Sequence, residues 1–237
     1  MDGFSIVIPV LREQNNLEKL IIRIHSSLKK INRYEVIIVD DNSNDGTLEK
    51  LDKLKSTFNF KLFVRKNERG LASAQKKGFS ESTGDFIGTI DVNSQYAILY
   101  FASMADKLNS GYDIAFLSRY VPGGRDERIF IRSFASKAIC LISKFFLRIP
   151  YNDFASGIFL MKRKLLVHTD TILTNYAEWF IEFIYIAYKK KYKIIEIPYV
   201  QKKDDNLSKS RSCPNIFIFF CLGSVYFLRI LITLIRN

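Results

Sequence analysis

Acidic residues follow two strand-like segments of this chain, in a pattern that suits a bound divalent cation. Asp40 and Asp41 come directly after the apolar run 34–39, and Asp91 follows the run 85–90. Carboxylate oxygens are preferred ligands of Mg²⁺ and Mn²⁺, and such ions commonly bridge phosphate groups. A single aspartate at a strand end more often caps a helix, but two clusters at one sheet edge favour cation and phosphate chemistry.

The sequence lacks the motifs of several other common kinds of active site and metal site. The chain has no Walker loop, no G-x-G-x-x-G fingerprint and no serine nucleophile elbow. Its three cysteines (Cys140, Cys213 and Cys221) have no spacing typical of a disulfide framework or a zinc site. The two histidines, His25 and His168, are too few for a histidine-based metal centre.

The elements that would position these carboxylates alternate along the first part of the chain. Short apolar, β-branched runs predict buried strands, and amphipathic runs between them predict helices. The predicted strands are 4–9, 34–39, 60–65 and 85–90, and the predicted helices are 17–30, 47–56 and 71–82. This order predicts an α/β fold with a mostly parallel sheet, whose ligands bind beyond the carboxyl ends of the strands.

The second part of the chain is richer in basic and apolar residues. We predict a strand at 114–117, a helix at 179–190 and a last strand at 193–198. Residues 128–148 predict a basic amphipathic helix. Residues 216–235 are almost wholly apolar, interrupted by Arg229.

Composition bounds the class of protein and its partners. The chain has 237 residues, enough for one large domain or one domain with an appendage. Its net charge of +12 favours an anionic partner: nucleic acid, a phosphorylated ligand or an anionic membrane surface. Nucleic acid is the weakest of these, because no DNA- or RNA-reading motif is present. Asp2 and a strand-like run follow Met1, so we expect no signal peptide and a cytoplasmic start.

Further motifs accompany the acidic clusters. They are Ile8-Pro9-x3-Glu13-x2-Asn16-Leu17, Val39-Asp40-Asp41-x-Ser43-x-Asp45-Gly46-Thr47, Arg69-Gly70-Leu71-x2-Ala74-x3-Gly78, Gly84-Asp85-x5-Asp91, Ser118-Arg119-Tyr120, Asp153-x2-Ser156-Gly157, Glu182, Glu196-Ile-Pro198 and Ser208-Lys209. The earlier motifs resemble family-2 glycosyltransferases of the GT-A (Rossmann-like) fold. The later ones resemble the dolichyl-phosphate mannosyltransferase branch.

This resemblance implies a donor, an acceptor and a nucleotide pocket. The donor would be a nucleotide sugar, GDP-mannose or a UDP-sugar, and transfer would invert the anomeric carbon. The acceptor would be a polyprenyl phosphate, dolichyl or undecaprenyl. Pro9, Glu13, Asp41 and Asp91 match the positions that bind the donor nucleotide.

The metal motif departs from the family pattern at one residue. The family has Asp-x-Asp followed by Gln, and here Asp91, Asn93 and Gln95 occupy these positions. An amide oxygen can still ligate Mg²⁺ or Mn²⁺, but it brings no charge. The replacement is consistent with a weaker metal site, a changed donor or an inactive enzyme.

The acceptor positions are basic or hydroxylated. A phosphate monoester is already a nucleophile at neutral pH and needs positive charge to orient it rather than a base. The matching residues are Arg119, Arg132, Ser133, Ser156, Lys203, Ser208 and Lys209. The catalytic candidates are Asp91, Arg119 and Asp153, and Asp153 would act as a base, or hold a sugar hydroxyl or the acceptor loop.

The basic and apolar segments predict contact with a membrane. Helix 128–148 fits an interfacial helix, with a surface helix packed on the core as the alternative. Residues 189–211 hold eight basic and three acidic residues, which favours anionic headgroups and a cytoplasmic face. We predict a glycosyltransferase domain over 1–213 and an apolar membrane-associated helix over 214–237, as an embedded hairpin or interfacial anchor rather than a span.

Two alternatives keep the fold and change the function. The acceptor could be a hydroxyl of a growing glycan, which would require a general base, with Asp153 the candidate. The chain could also be a degenerate, non-catalytic membrane-bound homologue, as Asn93 suggests.

Overall fold

The computed structural model describes residues 3–29, 31, 33–171, 176–203 and 216–236, with the backbone alone at 170, 171 and 216–222. The strands are β1 Phe4–Val10, β2 Tyr34–Asp40, β3 Lys61–Val64, β4 Phe86–Thr89, β5 Ile114–Ser118, β6 Arg125–Asp126, β7 Phe159–Lys162, β8 Ile194–Pro198 and β9 Val200–Gln201. The helices are α1 Leu17–Ser27, α2 Thr47–Leu54, α3 Leu71–Ser80, α4 Phe101–Asn109, α5 Phe130–Leu147, α6 Trp179–Lys189 and α7 Ile216–Arg236. Two 3₁₀ helices span Val92–Tyr100 and Arg163–Thr171.

Seven strands form one sheet in the order β3-β2-β1-β4-β7-β5-β8. Strand β7 runs antiparallel to β4 and β5, and the other pairs are parallel. The prediction of a mostly parallel sheet is therefore confirmed. A second, two-stranded sheet joins β6 to β9 in parallel.

Helices cover both faces of the main sheet. Alternate residues of β1 point to opposite sides: Ile6 and Ile8 contact the core that contains α1, α2 and α4, and Val7 belongs to the core under α3, α5 and α6. Gly78 lets α3 lie close to the sheet, since a Cβ there would be 2.2 Å from Val7 Cγ1.

The sequence missed β7 and everything between Asp91 and β5. The 3₁₀ helix and α4 fill that gap, and their buried positions Phe101, Met104 and Leu108 recur at helical spacing. The signal for α4 was therefore present. Strand β7 is antiparallel to its neighbours β4 and β5, so it falls outside the alternation of parallel strands and helices from which the other strands are predicted.

Helix α7 contacts α5 and α6. Its Arg229 is 3% exposed, and Arg229 Nη1 lies 2.7 Å from Glu182 Oε2 on α6. In the described parts of the chain, no helix is both long and apolar enough to cross a membrane.

Candidate active site

The carboxyl ends of β1, β2, β4 and β5 meet at one edge of the sheet. Pro9 pairs with Val39 and Val10 with Asp40, so the loops after β1 and β2 leave the sheet side by side. Asp91 follows β4, and Arg119 follows β5. The structure thus gathers the predicted donor and metal residues at the edge where ligands of such sheets bind.

Hydrogen bonds tie the loop after β1 to the acidic loop after β2. The backbone N–H of Arg12 donates to Ser43 Oγ (2.8 Å), and that of Glu13 donates to Thr47 Oγ1 (3.0 Å). Ser43 in turn donates to buried Asp40. Burial raises the pKa of Asp40 above its usual value. These contacts fix the backbone that carries half-buried Glu13.

Asp41 is buried and bound by protein donors. Arg65 donates to Asp41 Oδ1 from Nε (2.8 Å), and the Gly70 N–H donates to Asp41 Oδ2 (2.8 Å). Gly70 has a φ of 138°, which favours glycine. Asp41 therefore fixes the turn that begins α3, a contact that its motif alone does not reveal.

Two of the three predicted metal residues, Asn93 and Gln95, line a pocket at this edge, and Asp91 directly precedes its lining residue Val92. Its lining includes Asn16, Asn93, Gln95, Tyr199 and Lys203. Asn16 Nδ2 lies 3.5 Å from Asn93 Oδ1. Gln95 is 8% exposed, and its Oε1 is buried with no hydrogen-bond partner.

These residues fit a hard divalent cation by donor type. Asp91 supplies a carboxylate and the two amides supply neutral oxygens, of which Gln95 Oε1 still lacks a partner. Within the described ranges, no group of three or more His, Cys, Asp or Glu side chains is arranged to hold a metal. The donor set therefore carries less charge than a two-carboxylate site.

Arg119 and Asp153 form a buried bidentate ion pair. Arg119 Nε and Nη2 each lie 2.7 Å from an oxygen of Asp153, and the Arg119 N–H donates to Oδ2 (2.9 Å). Arg119 is 2% exposed and Asp153 0%. Although burial alone would lower it, Asp153 raises the pKa of Arg119 above its ordinary value. Neither group is exposed to a ligand in this arrangement.

A second acidic group, which sequence reasoning missed, extends this pair. Asp126 Oδ2 lies 2.6 Å from Arg128 Nη2 and 3.5 Å from Arg119 Nη1, and Tyr120 Oη donates to it (3.3 Å). Burial would raise the pKa of Asp126, but hydrogen bonds and charge from Arg128, with the charge of Arg119, hold it at about 2. The two acidic residues between Arg125 and Arg128 were the available signal.

The acceptor residues are distributed around this cluster. Arg132 and Ser133 lie half-buried in the first turn of α5, and Tyr120 Oη is 3.5 Å from the Ser133 carbonyl oxygen. Ser156 Oγ accepts the Ile158 N–H within its own turn (3.3 Å). Exposed Lys203 lines the pocket beside Gln95. Ser208 and Lys209 lie outside the described residues.

Helix α5 presents its apolar side outward. Phe130 is 83% exposed and Phe145 76%, and further exposed residues on this helix are Ile131, Phe134, Leu141, Ile142 and Phe146. The small polar residues Cys140 and Ser143 are buried on the inner side. The helix therefore does not pack on the core through its apolar face. On α7, exposed Phe227 extends this surface, with its ring 6.2 Å from that of Phe146.

Comparison with known proteins identifies the family. The family model "Glycosyl transferase family 2" matches residues 5–169. The chain belongs to this family. It is 34% identical over 201 residues to the dolichol-phosphate mannosyltransferase of Pyrococcus furiosus, covering 82% of this chain and 55% of that protein. It is 31% identical over 171 residues to the protein of the same name from Saccharomyces cerevisiae, covering 69% and 62%.

The chain therefore spans less than two thirds of the length of these two relatives. A solved structure with a similar fold is glucosyl-3-phosphoglycerate synthase from Mycobacterium tuberculosis, in complex with Mn²⁺, UDP and phosphoglyceric acid. It has a TM-score of 0.72 and 16% sequence identity, and covers 98% of this chain and 78% of that one. The predicted GT-A fold and the predicted resemblance are both confirmed.

Proposed function

We propose that this family-2 glycosyltransferase transfers a hexose from a GDP- or UDP-linked sugar to a polyprenyl phosphate at the cytoplasmic face of a membrane, with inversion. The observation that carries the proposal is the position of α5. Its first turn contacts the catalytic edge through Tyr120 and Ser133, while its outer side exposes a row of large apolar residues. A lipid-linked phosphate has this same division between a polar reacting end and an apolar chain.

The acceptor phosphate attacks without a base. Its negative charge is attracted by Lys203, which lines the pocket after β9, and by Arg132 in the first turn of α5. The Arg119–Asp153 pair also helps to position β9, because Arg119 Nη1 donates to Gln201 Oε1 on that strand (3.2 Å). Pro9, Glu13 and Asp41 shape the nucleoside side of the cleft.

Asp91, Asn93 and Gln95 would hold Mg²⁺ or Mn²⁺ against the donor diphosphate. When bound, such an ion stabilises the charge that develops on the leaving nucleoside diphosphate. The single carboxylate of this set predicts a weaker affinity than two carboxylates would give.

A glycan hydroxyl as acceptor is disfavoured by the same geometry. A hydroxyl needs a general base within hydrogen-bond reach. Asp153 is 0% exposed, and both its oxygens accept hydrogen bonds from Arg119. The proposed base is thus held inside the protein.

The test is transfer of radiolabel from a panel of nucleotide sugars to polyprenyl phosphate in detergent, with Mg²⁺, Mn²⁺ or EDTA. We expect labelled lipid in the organic phase from one donor, with EDTA abolishing it. Asp91→Asn should lower the rate by roughly 100-fold, as losses around metal sites commonly do. Exposed Asp106 on α4 is the matched control, and Asp106→Asn should leave the rate unchanged.

Two results would contradict the proposal. Label recovered only in an aqueous glycan product would indicate the hydroxyl acceptor. Nucleotide binding in calorimetry without transfer to any acceptor, while an active relative works in the same assay, would indicate a degenerate homologue.

A further inference from the structure

A groove of about 580 Å³ lies away from the candidate active site. It is lined by Tyr112, Tyr151, Tyr188, Lys189, Lys191, Tyr192, Lys193 and Ile194. Tyr112 and Lys193 precede the amino ends of β5 and β8, whereas the candidate active site lies at the carboxyl ends of these strands. The groove is therefore separate from the pocket at Gln95.

Packed tyrosines form one wall of the groove. The ring of Tyr151 lies 6.1 Å from that of Tyr188, edge to face, and 5.9 Å from that of buried Phe116. Burial, with Tyr188 and Glu196 nearby, raises the pKa of Tyr151 to about 12, so the phenol is neutral. Tyr192 Oη is 3.2 Å from His168 Nε2. These contacts hold the wall in place.

Lysines form the other wall, on a turn of fixed geometry. Lys191 has a φ of 60°, and its N–H donates to the Tyr188 carbonyl oxygen (2.9 Å) at the end of α6. The Lys189 Nζ lies 5.8 Å from the ring centre of Tyr185. Lys193 starts the approach to β8, and its side chain is exposed.

No nearby carboxylate neutralises these lysines. Asp113 is close, but Lys164 Nζ (2.7 Å) and the Lys193 N–H (3.0 Å) bind its oxygens. Glu196 accepts the N–H groups of Asn152 and Asp153. In the part of the chain that the structure describes, Lys189, Lys190, Lys191 and Lys193 make no ion pair with a carboxylate side chain. The groove therefore attracts anions.

One residue of the groove wall lies close to α5 in the chain. Tyr151 follows shortly after the end of α5, whose last turns expose Phe145 and Phe146. Tyrosines and lysines beside an exposed apolar surface are typical of proteins at the membrane interface. We propose that this groove binds the phosphate headgroups of anionic phospholipids, at the same membrane that α5 contacts. The inference rests on the membrane contact in the proposed function.

Vesicle binding tests the groove. The variant Lys189→Gln/Lys191→Asn/Lys193→Gln removes the three lining charges, and asparagine tolerates the left-handed conformation at position 191. One lysine near an anionic surface contributes roughly fivefold in affinity, so the three together contribute on the order of 100-fold. We expect this loss on vesicles containing phosphatidylserine, and little change on pure phosphatidylcholine vesicles.

A charge-matched control removes the effect of net charge alone. Lys29 after α1, Lys53 on α2 and Lys55 directly after α2 are exposed at the other end of the sheet, with Lys55 Nζ 3.4 Å from Asp52 Oδ1. Their triple glutamine variant should lose less than about fivefold. Equal losses in the two triple variants, or no loss in the groove variant, would overturn the proposal. A groove variant whose binding of inorganic phosphate falls as strongly as its vesicle binding would indicate a site for soluble phosphate instead.

Transfer to polyprenyl phosphate in detergent separates this inference from the proposed function. The groove variant should retain the wild-type rate there, because no bilayer is present. The wild-type protein could bind vesicles through the groove lysines and yet show no transfer activity. That result would support the lipid-binding groove and refute the proposed function.

Discussion

Replacing Arg229 by methionine tests how the last helix is held. Glu178, which directly precedes α6, and Glu182 on α6 are both 0% exposed. Arg229 on α7 is the buried cation facing them, 3.7 Å from Glu178 and 2.7 Å from Glu182. Breaking a buried ion pair from one side costs about 3–5 kcal/mol, because an uncompensated charge stays buried. For a chain of this size each kcal/mol lowers Tm by about 2–4 °C. We therefore expect Arg229→Met to lower Tm by roughly 6–20 °C.

Arg236 provides the matched control on the same helix. Its Nη1 lies 3.7 Å from the other oxygen of Glu182, but its side chain is 45% exposed, and exposed pairs contribute only about 0–1 kcal/mol. Arg236→Met should therefore lower Tm by no more than about 4 °C. Adding Glu182→Leu to Arg229→Met should restore part of the loss, since removing both partners of a buried pair is often close to neutral. The recovery stays partial because Glu178 remains buried without its cation.

Differential scanning calorimetry measures Tm for the wild type, Arg229→Met, Arg236→Met and the double variant Arg229→Met/Glu182→Leu. Equal, small shifts for Arg229→Met and Arg236→Met would refute the docking of α7 on α6. A double variant less stable than Arg229→Met would refute the explanation by buried charge, and would point to lost packing around Glu182 instead.

Three further predictions concern the candidate active site. Asn93→Asp adds a second carboxylate and should tighten Mn²⁺ binding on the order of tenfold, as measured by electron paramagnetic resonance titration; an unchanged affinity would remove residue 93 from the metal site. Lys203→Gln should slow transfer more than Lys202→Gln, because Lys202 Nζ already pairs with Glu127 (3.1 Å), and equal effects would contradict the role given to Lys203. The pKa of Asp126 is about 2, below its ordinary 3.8, so its stabilising contribution is present above about pH 4 and is lost as the pH falls towards 2. In acid unfolding, the stability of Asp126→Asn should therefore fall less between about pH 4 and pH 2 than that of the wild type. An unchanged dependence of stability on pH would refute the role of Asp126 in this loss.

The sequence predicts β1 and β2 well because these strands are largely buried on both faces. In β1 and β2, continuous β-branched runs end at Val10 and Asp40, within one residue of the predicted ends. The carboxyl edge, and with it the positions of Asp41 and Asp91, follows from this alternation. The antiparallel strand β7 could not be derived in this way, because its position depends on long-range pairing with β4 and β5.

Side-chain roles at the site are harder to derive than side-chain positions. The sequence motifs show that the chain contains both Arg119 and Asp153. They do not show which groups form hydrogen bonds with these two side chains. In the fold, Cys140 contributes a thiol and α5 closes over the pair, so both charges are desolvated and satisfied by each other. An Asp153 carboxylate exposed to solvent and not bound by Arg119 would have been available as a general base.

The neutralisation of charge inside the site determines which cations face the cleft. Asp153 compensates buried Arg119, and Asp126 compensates half-buried Arg128, so these two arginines contribute little positive charge to the surface. Their carboxylates instead lock the turn after β5 and the small β6–β9 sheet, which carries the chain to Lys203. In the proposed function, exposed Lys203 would attract the acceptor phosphate, and the network positions the strand that precedes it. A phosphate held at that residue would stay at the surface, where a lipid-linked acceptor would reach it without leaving the membrane.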